Sequence, residues 1–360
     1  MKDESKSKIK LVGTKLAKDI EGAKNPTLDV PVRALSNVSY DQKSGFITLG
    51  NKTAKRFFFN VAHVRKFVQT IEAAASAKDL LEAGKHLSLR EIFYRMKRTI
   101  PGTQINVVDE QEESNKAVED LELITGVSRE QLHINANKNG SAAGKIIIED
   151  KGDIIDWSKL GSGGWSIPSN VEDIQFKKVN AKFVIYAEKA AEWERMHEDK
   201  VWEKLSCIII ASQGQATRGV RRLLQRLHEE HKLPIYVLVD LDPWGTYIYS
   251  VLRSGSIGLA HISERLAIPD IRYLGLTPDD VKKYELGRHL VHFNDMDLKR
   301  LDQIRNYPWF KEDKKWQLFF DKMLALKGKV ELAAFTSKGI TFLSDKYIPD
   351  KIKNKDWMGA

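Results

Sequence analysis

The chain has 360 residues and a basic composition, with 58 lysine and arginine residues against 49 acidic ones and a formal net charge of +9. A basic excess of this size favours a polyanionic partner. The single cysteine, Cys207, excludes an internal disulfide framework and a zinc site built from paired cysteines. No apolar run approaches the roughly 20 residues of a membrane span, and the amino terminus lacks a signal-peptide core, so we expect a soluble cytoplasmic protein with no membrane partner.

Residues 1–60 are predicted to form an amino-terminal arm. The whole chain is long for one hydrophobic core, so at least two domains are expected after this arm. Residues 1–35 are polar and lysine-rich and contain Pro26 and Pro31, a composition typical of a flexible or loosely docked segment. A short strand bounded by glycines follows near Ile47.

Residues 61–160 are predicted to form a winged-helix domain. Helical periodicity precedes and includes a short capped helix near residue 90, and another helix is expected at 116–125. Two apolar runs then flank a turn at 149–152, which is a β-hairpin signal. Helices followed by a hairpin are typical of the winged helix, in which one helix enters a DNA groove and the hairpin contacts the backbone.

Residues 161–175 are rich in glycine and serine and are predicted to be a linker. Over residues 176–360, short and nearly continuous apolar runs alternate with helices before a helical extension closes the chain. This pattern predicts a mostly parallel sheet covered on both faces, with ligands at the carboxyl ends of its strands. The predicted fold class is therefore a multi-domain α/β chain, with a winged helix preceding a Rossmann-like parallel sheet.

The short capped helix carries a tyrosine away from its apolar face. Ser88 and Glu91 form a capping box, so the helix should begin at Leu89. Tyr94 projects about 140° away from Leu89. The apolar face has the spacing i, i+3, i+4 and i+7, and its members are Leu89, Ile92, Phe93 and Met96.

Tyr94 has two interpretations at this point. Its neighbours within one turn include the cations Arg90, Lys97 and Arg98. The tyrosine is either a surface residue packed beside arginines, or a phenolic nucleophile whose cations bind a phosphate. The residues of this helix alone leave both open.

Three carboxylates follow two predicted strands. Asp240 and Asp242 alternate at the end of one strand and point to the same side, and Glu188 ends the first strand of the sheet. Crowded carboxylates are costly unless a cation lies between them, and Mg²⁺ prefers such hard oxygen ligands. A magnesium site is therefore predicted, with exposed or helix-capping aspartates as the alternative.

A second predicted helix carries a row of arginines opposite an apolar face. Like charges at this spacing repel one another, so the helix would gain from a polyanion such as a phosphate backbone. The alternative is a solvated face, or one paired with acids such as Glu229 and Glu230. The arginines are Arg218, Arg221, Arg222 and Arg226.

Taken in order, these segments resemble one family closely, the A subunit of DNA topoisomerase VI and its relative, the meiotic double-strand-break transesterase. The resemblance spans about residues 60–350, and the glutamate strand end with its aspartate turn is similar to the metal-binding Toprim core. It is carried by SLREIFYRMKR, KFVIYAEKAA, GQATRGVRRLLQRL, VLVDLDPWGTYIYS, IRYLGL and ELAAFTSKGITFLSDKYIPDKI.

The resemblance implies a definite chemistry. Tyr94 would attack a DNA phosphodiester and leave a 5′-phosphotyrosyl bond and a 3′-hydroxyl, while Phe93 stands where many archaeal members have a second tyrosine. The cations Arg95, Arg90 and Arg98 are candidates to favour the phenolate. Mg²⁺ would be held by Glu188, Asp240 and Asp242.

The resemblance also implies partners. One chain cuts one strand, so a double-strand break implies a homodimer on double-stranded DNA. No nucleotide-hydrolysis motif is found in the sequence, so ATP-driven strand passage implies a separate GHKL-type ATPase B subunit in an A2B2 heterotetramer. A nucleoid-associated, archaeal protein is expected.

Three rival functions remain at this stage. A hydrolytic Toprim nuclease would cut with metal-activated water and leave Tyr94 structural. A non-catalytic DNA-binding or scaffolding protein would need no metal. A dedicated double-strand-break former would share the chemistry but lack the ATPase partner, and the plain archaeal-style length favours the topoisomerase.

Overall fold

The structure is a computed structural model that describes residues 2–136 and 139–359. Its chain divides into two compact units, each with its own core. Within the described residues the first unit comprises 2–39, 49–136 and 257–262, and the second comprises 40–48, 139–256 and 263–359. No helix in this part of the chain is long and apolar enough to cross a lipid bilayer.

The elements before residue 137 alternate between helices and short strands. The helices are α1 (Lys2–Glu21), α2 (Val61–Ala83), α3 (Leu89–Met96) and α4 (Gln111–Thr125). The strands are β1 (Thr27–Pro31), β2 (Val38–Asp41), β3 (Phe46–Leu49), β4 (Thr53–Phe57), β5 (Leu87–Ser88) and β6 (Ile134–Asn135).

The strands after residue 138 are β7 (Ser141–Gly144), β8 (Ile146–Asp150), β9 (Asp153–Asp156), β10 (Trp165–Ser166), β11 (Gln175–Val179), β12 (Val184–Ala187), β13 (Ile208–Ala211), β14 (Ile235–Leu238), β15 (Arg272–Tyr273), β16 (Val291–His292) and β17 (Gly328–Lys329). The helices are α5 (Ala190–Glu198), α6 (Val201–Lys204), α7 (Arg218–His231), α8 (Pro243–Ser254), α9 (Ser263–Leu266), α10 (Pro278–Lys283), α11 (Asp295–Arg305), α12 (Pro308–Lys311), α13 (Lys314–Leu326) and α14 (Ile348–Lys353).

The first unit is a helical core in which α2, α3 and α4 pack on one another. Its amino-terminal part differs from the predicted arm, because α1 packs on α2 and α4, and β1 pairs with β4 in antiparallel fashion. Ile9 is buried, and Val12 and Leu16 pack against buried residues, so an i, i+3, i+7 stripe holds α1 in place. The lysine-rich composition of this segment concealed that stripe.

The second unit is built on a six-stranded sheet with the strand order β10-β7-β13-β12-β14-β15. β12 pairs in parallel with both β13 and β14, and β14 pairs in parallel with β15. Every residue of β12, β13 and β14 is buried, as expected for parallel strands with both faces covered. The predicted α/β fold class is confirmed.

The predicted β-hairpin is present, but its place in the fold differs from the prediction. β8 and β9 pair in antiparallel fashion, and β8 also pairs with β11 in a three-stranded sheet. This sheet belongs to the second unit, since Ile146 and Ile148 pack in its core with Trp157. The hairpin therefore does not lie in the helical unit that was predicted to use it as a wing.

The predicted linker at 161–175 is also part of the second core. Trp165 pairs in β10, and its ring stacks on Trp157 with centroids 4.8 Å apart. Ile167, Val171 and Ile174 are buried. Glycine and serine in this segment accompany turns between buried apolar residues, and the segment is folded along its length.

Candidate active site

Tyr94 lies on a short helix whose amino end is rigidly capped. The Ser88 hydroxyl accepts a hydrogen bond from the Glu91 N–H at 3.2 Å, and the Glu91 carboxylate accepts one from the Ser88 N–H at 2.7 Å. The predicted capping box and the helix start at Leu89 are therefore confirmed. Ile92 and Met96 are fully buried, so the helix cannot rotate without exposing them, and Tyr94 remains 59% exposed on the opposite side.

Arg90 is the cation that reaches the phenol. Its Nη2 lies 3.5 Å from the Tyr94 hydroxyl, and its guanidinium carbon lies 5.8 Å from the centroid of the ring. The two residues are one helical turn apart, so the same backbone positions both. The Phe93 ring lies 5.2 Å from the Tyr94 ring and limits its movement on the other side.

The other predicted cations are turned away from the phenol, two of them by ion pairs with α2. Arg95 bonds to the carboxylate of Asp79 and to the Ser76 hydroxyl at 3.2 Å. Arg98 bonds to the carboxylate of Glu72. Lys97 lies over Phe93, with its ammonium 5.3 Å from the ring centroid. The structure therefore favours Arg90 over Arg95 as the residue that acts on Tyr94.

The three carboxylates follow two neighbouring strands of the second unit. β12 leads into Glu188 and β14 leads into Asp240 and Asp242, and these two strands are hydrogen-bonded in parallel. The Glu188 N–H donates to the Leu238 carbonyl at 3.3 Å, which continues the pairing to the strand end. Asp242 caps α8 by accepting from the Gly245 N–H, with Pro243 in the first turn.

Asp240 is only 3% exposed, and both of its oxygens have partners. One oxygen accepts from the Leu332 N–H at 2.7 Å, and the other lies 2.6 Å from the Lys189 ammonium. Lys189 also lies 3.3 Å from the Glu331 carboxylate. Sequence reasoning missed Glu331 and Leu332, which lie about ninety residues along the chain, but Lys189 directly follows Glu188 and could have been noted as a cation at the site.

Glu188 is the least satisfied carboxylate of the three. Its Oε2 is buried and has no hydrogen-bond partner among the described residues. Burial, followed by the negative charges of Asp242 and Asp240, raises the pKa of Glu188 to about 8. Burial also raises the pKa of Asp242 above its usual range.

These residues fit a hard divalent cation by their chemistry. A cation would relieve the repulsion that raises the Glu188 pKa and would provide a partner for the unbonded Oε2. Within residues 2–136 and 139–359, however, no three His, Cys, Asp or Glu side chains are already grouped around one point as a finished metal site. Glu188 and Asp242 would be the first ligands, and Asp240 would have to release Lys189.

Glu192 was also missed by sequence reasoning. It lies in the first turn of α5, is buried, and has an Oε2 without a partner among the described residues. Burial is the main cause that raises its pKa to about 7, and the charge of Asp240 adds to the effect. A fourth buried acid therefore stands close to the carboxylate cluster.

The row of arginines on α7 does not form the exposed face that was predicted. Arg221 is 2% exposed, donates to the Val251 carbonyl at 3.3 Å, and has its pKa lowered to about 10 by burial. Arg222 makes two bonds to Glu172, of 2.7 and 3.0 Å. Arg226 bonds to Glu230 at 2.6 Å, the ion-paired alternative. Arg218 is the first residue of α7.

Comparison with known families places the two units in one class of protein. Residues 65–134 match the family described as type IIB DNA topoisomerase, and 136–180 match the all-beta domain in DNA topoisomerase VI alpha subunit. Residues 183–352 match the Toprim domain shared by the topoisomerase 6 A chain and Spo11. These matches assign the chain to the type IIB DNA topoisomerases. The match at 136–180 agrees with the place of β8 and β9 outside the helical unit.

Curated relatives narrow the class to one kind of chain. The A subunits of type 2 DNA topoisomerase 6 from Pyrococcus abyssi and Pyrococcus horikoshii are each 44% identical over 356 residues, covering 96% of this chain and 93% of theirs. That of Hyperthermus butylicus is 40% identical over 351 residues, covering 93% of this chain and 90% of its own. The chain belongs to the family of DNA topoisomerase VI A subunits, and it is the DNA-cleaving component of a type IIB enzyme.

Proposed function

We propose that Tyr94 is the nucleophile that cleaves DNA by transesterification. Its oxygen would attack a backbone phosphorus and form a phosphotyrosyl bond at the 5′ end. The bond from phosphorus to the 3′-oxygen would break, the phenol would lose its proton, and the 3′-oxygen would gain one. The observation that carries the proposal is the exposed Tyr94 hydroxyl on a rigidly capped helix with the Arg90 guanidinium beside it.

Arg90 supports this step in two ways. A cation close to the phenol oxygen can stabilise the negative charge on that oxygen as it attacks the phosphorus. The same guanidinium can donate to the phosphate oxygens as charge develops in the transition state. Lys97 and Arg218 are proposed as further phosphate contacts, and Arg98 would join them on leaving the Glu72 carboxylate.

We propose that Glu188, Asp240 and Asp242 hold Mg²⁺, which would supply charge stabilisation at the leaving 3′-oxygen. Asp240 is kept in position by the Leu332 N–H, and its other oxygen would bind the metal after releasing Lys189. Glu188 offers a buried oxygen that lacks another partner among the residues the structure describes. Asp242 is oriented by its bond from Gly245.

A transient double-strand break requires two tyrosines, and each chain supplies one. The active form is therefore proposed to be a homodimer on double-stranded DNA, with each Tyr94 acting at the carboxylates of the other protomer. ATP-driven passage of a second duplex would require a GHKL-type ATPase B subunit in an A2B2 heterotetramer. Because the bond energy is kept in the phosphotyrosine, the break can be resealed without a ligase.

Covalent trapping tests the proposal. The chain, its ATPase partner, ATP and Mg²⁺ are incubated with end-labelled supercoiled DNA, and the reaction is quenched with detergent. We expect labelled protein with the wild type, none with Tyr94→Phe, and none when EDTA is added before the DNA.

Tyr40→Phe serves as the matched control, because it also removes one tyrosine hydroxyl but lies outside α3. It should form the adduct at the wild-type level. Cleavage without any adduct would mean that the chain is a hydrolytic nuclease. An adduct that persists in Tyr94→Phe would assign the nucleophile to another residue.

A further inference from the structure

An exposed tryptophan stands next to the carboxylate cluster. Trp244 is the second residue of α8, two positions after Asp242, and its side chain is 39% exposed. It is the one exposed side chain of Pro243–Ser254, a helix that lies wholly within the described residues and is otherwise buried or half-buried. Tryptophan combines a large apolar ring with a polar N–H, and it is enriched at binding interfaces.

Trp244 is fixed by an arginine from a neighbouring helix. The Arg300 guanidinium, on α11, lies 4.3 Å from the centroid of the Trp244 ring and 4.5 Å from that of Tyr247. The two rings meet edge to face, with centroids 6.4 Å apart and an angle of 87°. These contacts hold the exposed indole in one orientation before any ligand arrives.

Within the part of the chain that the structure describes, the charge of Arg300 has no acidic partner. Among the described residues, no carboxylate oxygen lies within the 4.0 Å of an ion pair with its guanidinium; the buried acid of the same helix, Asp297, is bonded instead to Lys329 at 2.9 Å. The charge of Lys329 lowers the pKa of Asp242, which opposes the rise caused by burial, so Lys329 also lies near that carboxyl. The rim of the cluster beside Trp244 therefore carries positive charge that can meet a polyanion.

An aromatic face with an adjacent cation matches the two parts of a nucleotide. Any nucleobase can stack on an aromatic ring, with a strength that depends on the base, and a guanidinium adds a cation–π contact or binds the phosphate. Trp244 follows Asp242 by two residues, so the Trp244 ring and the Arg300 guanidinium would lie beside the phosphate that is cleaved. We propose that Trp244, supported by Arg300, stacks on a nucleobase flanking the scissile phosphate and so contributes to the choice of cleavage site; this rests on the proposed function.

The stacking can be measured without cleavage. The Tyr94→Phe chain, with its ATPase partner, is bound to duplexes carrying the fluorescent base 2-aminopurine at successive positions. Fluorescence should be quenched at one or two positions, and Trp244→Ala or Trp244→Leu should abolish that quenching and weaken binding by about tenfold. Trp244→Phe should retain part of the quenching, and Arg300→Met should reduce it.

Trp244→Leu keeps more of the apolar volume than Trp244→Ala, so it serves as the second variant if Trp244→Ala fails to fold. Thermal unfolding measures whether both variants are folded. Leu318 is an exposed apolar residue on α13, and Leu318→Ala is the control. It should show the same quenching as the Tyr94→Phe chain without a second substitution. Equal quenching in the parent and in Trp244→Leu would overturn the inference. Failure of the wild type to form an adduct would refute the proposed function instead, since the quenching assay needs no adduct.

The cleavage-site distribution supplies the second readout. Sequencing of covalent DNA ends should show a base preference flanking the break in wild-type chains, and this preference should be flattened in Trp244→Leu when equal amounts of adduct are compared. An unchanged preference would contradict a role for Trp244 in site choice.

Discussion

The surroundings of Tyr94 and of the three carboxylates differ in solvent exposure and in how far along the chain their contacts lie. Tyr94 is exposed, lies on one short helix, and is oriented by contacts within a single turn. Asp240 is buried and is held by groups from two distant parts of the chain, Lys189 and Leu332. The tyrosine can therefore change with little consequence for folding, whereas Asp240 stabilises the fold in addition to its proposed role in the chemistry.

The largest expected effect separates activity from stability. Tyr94→Phe removes one exposed hydroxyl whose hydrogen bond from Arg90 is long. We expect strand cleavage to fall by about 10⁴-fold or more, as for loss of a nucleophile, while the free energy of unfolding changes by less than about 0.5 kcal/mol. Relaxation assays measure the loss of cleavage, and chemical denaturation measures the change in the free energy of unfolding. A large loss of stability would show that the hydroxyl has a structural role.

The second prediction tests the opposite behaviour at Asp240. Asp240→Ala would leave the Leu332 N–H and the Lys189 ammonium without their partner. We expect the free energy of unfolding to fall by about 2 kcal/mol, mostly from the buried N–H, because Lys189 can regain water. Cleavage should be lost as well.

Glu331→Ala is the control for Asp240→Ala, because it removes an exposed acid from the same lysine. It should change the free energy of unfolding by less than about 0.5 kcal/mol. If the two variants are equally stable in denaturant unfolding, Asp240 is not the structural anchor that its contacts indicate.

How far the sequence predicts the molecule depends on how local each contact is. The capped helix of Tyr94 was predicted because its spacing and capping box lie within eleven residues, 88–98. The strand ends at Glu188 and Asp240 were predicted because buried parallel strands appear as continuous apolar runs. In each case the signal and the structure occupy the same stretch of chain.

The predictions that the structure corrects depended on contacts between residues distant in sequence. Arg221 and Arg222 find their partners 30 and 50 residues away, at Val251 and Glu172, and no periodicity on α7 indicates those contacts. The hairpin of β8 and β9 was predicted from local signals, but which core it joins is decided by β11 and by Trp157. Local patterns predict elements, whereas the destination of an element depends on residues distant in sequence.

The third prediction concerns pH and uses the raised pKa of Glu188. In the unfolded chain this carboxyl loses its proton near its ordinary pKa of 4.5, but in the fold it keeps the proton until about pH 8. The folded state therefore binds more protons between these values, so stability is present below pH 4.5 and falls as pH rises towards 8. Without added metal, Glu188→Gln should remove most of this dependence, because each unit of pKa shift corresponds to about 1.4 kcal/mol.

Denaturant unfolding at about pH 5 and about pH 8, with and without Mg²⁺, measures this pH dependence of the free energy of unfolding. Mg²⁺ should stabilise the wild type more at the higher pH than at the lower one, because it competes with the proton for Glu188. An identical pH profile in wild type and Glu188→Gln would show that the crowding of these carboxylates is relieved in another way.

The smallest expected effect distinguishes two arginines of the same helix. Arg90 reaches the Tyr94 hydroxyl, whereas Arg95 is bonded to Asp79 and Ser76. Arg90→Met should therefore lower the rate of strand cleavage about tenfold more than Arg95→Met, because loss of a charge next to the phenol raises the cost of forming the phenolate. Arg95→Met should instead lower the melting temperature, since it breaks contacts between α3 and α2.

Charge-conserving variants sharpen this test. Arg90→Lys should retain more of the cleavage rate than Arg90→Met, because it keeps a cation beside the phenol, whereas Arg95→Lys and Arg95→Met should cleave at similar rates. The reverse pattern would mean that α3 turns on DNA binding so that Arg95 takes over the phenol. The buried Ile92 and Met96 oppose such a turn, because rotating the helix by the roughly 100° between successive residues would expose both to water.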